Sequence, residues 1–291
     1  MIKQIILAAI LLLVCTPMFA QDDLESLLES ETEEQIDFTS ATFKNTRVLN
    51  GHSIENLRPR DMEFRISHRF GELNTGAYEL WGLDQANVHF SLEYGITDRI
   101  NIGFGRGTYQ KTYDGFVKFK LLRQSSGKKN MPVSVSYIGG MSANSLNQKE
   151  LNDYFTNRLA YVHALLIARK FSDRLSVQLS PHIVHRNYVE TKEEDNDLYA
   201  LGMGGRFKLT KRISVNVEYF YVANLPENHP TLEFQHPLSI GVDIETGGHV
   251  FQLHVTNSLS MIEKGFIGET TGQWTDGGIH FGFNISRVFT L

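Results

Sequence analysis

Cysteine is almost missing from this chain of 291 residues; the one present is Cys15. Thiolate catalysis, cysteine-ligated zinc, iron–sulfur ligation and disulfide stapling are therefore excluded for everything that follows it. Beyond the first fifteen residues no stretch approaches the ~18 consecutive apolar residues that a membrane-spanning helix needs. Proline, at 7, and glycine, at 24, are too few for a disordered or fibrous chain. Charge of one sign is not in excess either. With Lys3 and the acids of residues 21–40 set aside, the 28 basic and 33 acidic residues leave a nearly neutral body. Nothing in that balance calls for nucleic acid. HExxH, CxxCH and helical histidine pairs are absent, so no cofactor and no metal site is expected.

What is present begins with a secretory signal. Lys3 supplies the positive end, Ile5 to Val14 form an apolar core, and Phe19-Ala20 precedes a cut before Gln21. A lipoprotein box ending at Cys15 is disfavoured by the bulk of Val14. Residues 21–40 then carry Asp22, Asp23, Glu25, Glu29, Glu31, Glu33, Glu34 and Asp37 with no Lys or Arg. Such a run repels itself and has little to bury, which reads as a flexible acidic tail.

From residue 62 onward, period-2 alternation takes over. Met62, Phe64, Ile66, His68 and Phe70 share one face, opposite Glu63, Arg65, Ser67 and Arg69. The same count yields twelve candidate strands: 62–70, 87–96, 100–109, 113–123, 131–141, 158–171, 174–186, 198–209, 213–222, 236–246, 249–258 and 278–291. Most are close to the ~9–11 residues that cross a bilayer at a tilt. Short connections alternate with long ones, with 109–113 as the exception. Three of the short ones nearly repeat, as TDRINI, SDRLSV and TKRISV from Thr97, Ser172 and Thr210.

That is the plan of an all-β, single antiparallel transmembrane barrel spanning 62–291, with tight periplasmic turns and longer outer loops. An even strand count puts both termini in the periplasm and the protein in the outer membrane, against lipid. The final strand, with Phe281, Phe283, Ile285, Phe289 and Leu291 on one face, resembles the signal read by the outer-membrane assembly machinery. A soluble sandwich or lipocalin-like barrel also alternates. The aromatics near strand ends (Tyr94, Phe171, Tyr199, Phe207, Tyr219, Tyr221) fit an interfacial girdle better.

If the apolar face meets lipid, the polar face lines a lumen. Arg65, Arg69, Lys118, Lys120, Arg206, Glu218 and Asp243 are the candidate lumen or constriction residues. Glu93, His182, Arg186, Lys208, Glu245, His254 and His280 share that face. Mixed signs on neighbouring strands suggest bracing ion pairs. From ~4.8 Å strand spacing and ~40° tilt, twelve strands enclose roughly 24 Å, leaving a polar pore on the order of 10 Å unless something fills it. Residues 41–61 are the candidate filler, as a plug or a periplasmic cap, with Lys44, Arg47, His52, Arg58 and Arg60 as its cationic and titratable groups.

The stretch ATFKNTRVLNGHS from Ala41, with RPRDMEFRISHRFG and YGITDRINIGFG downstream, resembles a family of uncharacterised bacterial outer-membrane β-barrel proteins, a domain of unknown function. The resemblance covers most of the chain after the signal. It implies a signal-bearing outer-membrane barrel and carries over no activity and no site residues. The functional expectation is a porin-like channel or transport barrel for small hydrophilic solutes. A structural or docking barrel that binds periplasmic or surface partners is the alternative. A lipid-active enzyme stands third: a family of outer-membrane phospholipases uses a lipid-facing His and Ser two residues apart. His89 and Ser91 have that spacing here, but their parity puts them in the lumen and no orienting Asn can be assigned.

Overall fold

The computed structural model describes residues 35–148, 154–226 and 229–291. The expected signal peptide and the acids from Asp22 to Glu34 lie outside the described residues. Residues Asp37–Leu291 form one compact unit.

Within it, twelve antiparallel strands close into a barrel: β1 (Asp61–Glu72), β2 (Ala86–Gly95), β3 (Ile100–Gly107), β4 (Tyr113–Leu122), β5 (Ser134–Ala143), β6 (Leu159–Lys170), β7 (Leu175–Arg186), β8 (Asp197–Lys208), β9 (Ile213–Val222), β10 (Leu238–Thr246), β11 (His249–Thr256) and β12 (His280–Thr290). Each strand pairs with its neighbours in the chain. β12 returns to β1, with Ile285 opposite Ile66 and Asn284 opposite Ser67. Closure leaves no strand edge, which hydrocarbon would penalise by several kcal/mol per unpaired group. No described helix is long and apolar enough to cross a membrane.

The three repeated hinges are one turn built three times. In each, the residue before the Thr or Ser donates its N–H to a carbonyl four residues on: Ile96 to Ile100, Phe171 to Leu175 and Leu209 to Ile213, all at 2.9 Å. The side-chain oxygen of Thr97, Ser172 or Thr210 accepts from the two amides that re-enter the strand. The carbonyls of Arg99, Arg174 and Arg212 then accept the N–H of Lys120, Lys208 and Glu245 on the adjacent strand. The hydroxyl therefore does the structural work, while the Asp, Lys and Arg side chains keep the rim in water.

Alternation sorts the faces as the pattern requires. Phe64, Phe90, Leu92, Leu179 and Ile183 are exposed on the outside, whereas Glu63, Arg65, Arg69 and Glu93 are buried within. Strand β6 departs from this scheme. Its inward residues Ala160, Val162, Ala164, Leu166 and Ala168 are apolar and buried. A strand that is apolar on both faces has apolar material on both sides, so one wall of the lumen must be covered by something greasy.

A charge placed on the outer face tests the orientation. Leu179 sits near the middle of β7 and is 44% exposed. Leu179→Arg should lower refolding stability in lipid vesicles by about 2–4 kcal/mol, as expected for a cation at the bilayer midplane. An unchanged denaturation curve would mean that this face does not meet hydrocarbon.

Candidate functional site

Residues 41–57 lie inside the barrel. Phe43, Val48, Leu49 and Ile54 are buried, as are Thr42, Asn45, Thr46, Asn50, His52 and Ser53. The centre is a small hairpin. Val48 N–H donates to the Gly51 carbonyl at 2.9 Å, Ser53 N–H donates to the Thr46 carbonyl at 2.9 Å, and Arg47 bridges to His52. Asn50-Gly51 forms its tip, as that dipeptide does in tight turns.

A hairpin of two short arms pairs few of its own backbone groups, and a buried one must find partners elsewhere. The barrel wall supplies them. The Glu218 carboxylate accepts the Asn50 N–H at 2.8 Å and the Gly51 N–H at 3.0 Å. Gln252 donates to the Val48 carbonyl, Asn284 to Leu49 and Gln178 to His52, at 3.0, 3.0 and 2.8 Å. Lys118, fully buried, donates to the carbonyls of Ser53 at 3.2 Å and Glu55 at 2.8 Å. Arg206 reaches the Ala41 carbonyl at 3.3 Å.

Side chains complete the seat. Arg65 donates to Asn45 and Thr46, Arg69 donates to the Asn50 side-chain oxygen, and Asn50 donates to Ser239 at 2.8 Å. Two glycines make room. A Cβ on Gly51 would stand 2.7 Å from a Glu218 oxygen, and one on Gly241 would stand 2.8 Å from the Leu49 side chain. The apolar side of the hairpin, through Phe43, Val48 and Ile54, packs on Ile138, Ala164, Leu166 and Ala168 of β5 and β6.

From the opposite rim the long connection between β11 and β12 also folds inward. Its short helix α1 (Glu263–Gly268) buries Phe266 and Ile267 against Val162, Val184, Leu198, Ala200, Phe220 and Val222. At its start Glu263 meets the hairpin: Oε1 lies 2.8 Å from Arg47 Nη1 and 3.6 Å from His52 Nε2. Burial, then the Arg47 guanidinium, hold the His52 imidazole well below its ordinary value, so Arg47 carries the positive charge of this contact. The Arg47 guanidinium also lies 5.5 Å from the centre of the Phe116 ring.

The candidate lumen residues are distributed as follows. Arg65, Arg69, Lys118, Arg206, Glu218 and Asp243 are buried and face inward. Asp243 accepts from Gln252 at 2.9 Å, which ties it to the same network. Lys120 is only partly buried and borders a cavity at the short-turn rim with Glu55 and Arg123. Lys44 pairs with Glu245 at 2.7 Å, and Arg47 and His52 lie in the hairpin. Arg58 and Arg60 do not enter the lumen. They are exposed where the chain leaves the barrel interior, and Arg60 has a positive φ of 70° as the backbone reverses into β1.

Bracing between opposite charges on the wall is limited. Glu63 pairs with Arg65 on its own strand, and Lys118 lies 3.9 Å from Glu93. Glu218, Arg206 and Lys118 itself bond to main-chain groups of 41–57, a role that alternation alone does not reveal. His89 and Ser91 both point inward, as β2 parity requires, and His89 Nε2 lies 2.6 Å from Asp114 Oδ1. Among the described residues, no group of three or more His, Asp or Glu side chains is placed to hold a metal.

Comparison with known families settles where this barrel belongs. Residues 43–289 match the family described as membrane bound beta barrel domain (DUF5777). The chain belongs to that family. Its match takes in the lumen hairpin from Phe43 onward and all twelve strands but for Thr290. No curated protein matches the chain. Solved structures similar to it include the NanC porin, at 8% identity and a TM-score of 0.49, covering 79% of this chain and 99% of that one. The KdgM porin follows at 9% and 0.46, covering 79% and 99%. An active-site mutant of outer membrane phospholipase A from Escherichia coli aligns at 13% and 0.44, covering 83% and 96%.

The seat of the hairpin can be measured directly. Glu218→Ala strips the acceptor from two buried amides, at about 1–3 kcal/mol each. With Cys15 removed and Val48→Cys introduced, a water-soluble thiol reagent should label the Glu218→Ala protein at least about tenfold faster than its parent, the equivalent of ~1.4 kcal/mol. Equal labelling would show that Glu218 does not hold the hairpin in place.

Proposed function

We propose that this family member is a porin-like outer-membrane barrel for small hydrophilic solutes, closed at rest by residues 41–57. One observation carries the reading: the groups that fix the hairpin are wall side chains such as Glu218, Lys118, Gln178, Gln252 and Asn284, bonded to its main chain. If the hairpin leaves, those side chains remain as a polar surface that water can wet. A filler needed only for stability would be better served by an apolar core, because replacing buried polar networks with packed hydrophobic groups is often neutral or stabilising.

Cavities approach the hairpin from both rims. On the short-turn side, spaces of about 260 Å³ and 140 Å³ are bordered by Lys44 and Glu245 and by Glu55 and Lys120. On the long-loop side a space of about 280 Å³ shares Ser142 and Lys264 with a smaller one that reaches Arg47, His52 and Glu263. The Arg47–Glu263 contact therefore stands where the two sides would join, and serves as the latch. In this reading the short-turn rim faces the periplasm. The described chain enters and ends at that rim, where Leu291 N–H donates to the Arg60 carbonyl at 2.9 Å.

Planar-bilayer recording tests the proposal. The intact protein should be closed for most of the recording. Deleting residues 21–57 should give a steady conductance, and Glu263→Ala should raise the frequency of opening in the intact chain. A deletion protein that folds, by its β-rich circular dichroism, yet stays closed would overturn it.

A further inference from the structure

The cavity of about 280 Å³ on the long-loop side has a composition that specifies more than passage. Its size falls just below the roughly 300–1,000 Å³ of drug-sized ligand sites, which suits a smaller solute. Three cations border it, Arg158, Arg186 and Lys264, and three anions, Glu190, Glu194 and Glu269.

The cations are already committed. Arg186 lies 2.9 Å from Glu194, with both side chains under a tenth exposed. Lys264 is bonded to Glu269. Arg158 donates to the carbonyls of Asn144 at 2.9 Å and Leu146 at 2.7 Å. A charged ligand needs either a partner taken from the Arg186–Glu194 or Lys264–Glu269 pair or an unbalancing of Arg158 against Glu190. A neutral ligand needs neither.

The rest of the lining suits hydroxyl groups. Gln110 donates to Glu269 at 3.1 Å and accepts from Lys264 at 3.0 Å and Asn144 at 3.4 Å, and each of the two amides keeps a second N–H beyond these bonds. Side-chain amides offer a donor and an acceptor from one planar head. A sugar hydroxyl also offers both. Tyr109, Tyr188 and Phe234 add aromatic surface, against which the C–H face of a pyranose ring packs.

We propose that this chamber binds an uncharged, polyhydroxylated solute of mono- or disaccharide size. The inference rests on the channel reading for its purpose, though not for its chemistry. Lys264 lies in α1 and Glu269 directly follows it, and the first residue of α1, Glu263, holds Arg47 of the hairpin. A solute in the chamber therefore touches the element that carries the latch.

The test uses the full chain in a sugar-free detergent, titrated calorimetrically with sucrose, maltose, glucuronate and glucosamine. At least one neutral sugar should bind with a Kd below about 10 mM, and both charged sugars should bind at least about tenfold more weakly. Phe234→Ala, which removes aromatic lining, and Leu232→Trp, which fills the chamber from an exposed loop, should each weaken the neutral sugar by about tenfold or more with an unchanged melting curve. Absence of binding by both neutral sugars, or tighter binding of glucuronate or glucosamine, overturns the proposal. So does binding that neither variant alters. If the deletion of residues 21–57 conducts while neutral sugars do not bind, the chamber inference fails and the channel reading stands. If they bind and the deletion stays closed, the chamber is a surface receptor site and the channel reading fails.

Discussion

A backbone amide or carbonyl shut away from bulk water must find a partner, and this molecule answers that demand twice. Toward lipid the answer is closure: β12 pairs with β1 and no strand edge is left. Inside the barrel the hairpin of residues 41–57 has no ladder to join. Its main chain is met instead by carboxylate, ammonium, guanidinium and amide groups from the wall. The first solution makes a rigid cylinder. The second makes a seat whose bonds water can replace, since each bond involves a wall side chain and none is part of the sheet.

Charge placement follows from the same demand. Arg69, Lys118 and Glu218 are buried in a space that would be costly for an isolated ion. Each is satisfied by dipoles of the inserted segment more than by an opposite charge, so wall and segment stabilise one another. In the channel reading, removing the segment would let water take its place at these groups. The apolar wall of β6 to β9 is handled separately, by the greasy side of the hairpin and by Phe266 and Ile267 of α1. Only the tip of α1 touches the hairpin through charge, at Glu263.

The barrel was legible in the sequence because a strand's two faces are encoded in adjacent letters. Phe64 and Arg65 announce lipid and lumen without any knowledge of the rest of the chain. The three Thr/Ser–Asp/Lys–Arg hinges were equally plain as turns, although it is the leading hydroxyl that closes them. Residues 41–57 could be suspected but not placed, since Lys44 and Arg47 look alike in sequence whether they fill a lumen or cap it. Arg58 and Arg60 belong to the same basic run and turn out to lie on the rim, because the chain must reverse there to enter β1. The inward turn of α1 left a fainter trace. Met261, Ile262, Phe266 and Ile267 form an apolar knot in a long loop, and β6 has alanine, valine and leucine on its lumen side. Read together they call for an insert against that wall. The pairing of Glu218 with Asn50 and Gly51, 168 and 167 positions apart, has no local signature at all.

The central claim is that the conduit opens only when the hairpin leaves its seat. A disulfide can hold it there. Val48 Cγ2 lies 3.3 Å from where a Cβ on Gly204 would stand, so side chains at 48 and 204 meet, and cysteines there are the pair to bridge. In a protein carrying Val48→Cys and Gly204→Cys with Cys15 removed, bilayer recordings should show no openings while the bridge is oxidised and recurrent openings once it is reduced. Openings of equal frequency and size in the two states would contradict the account.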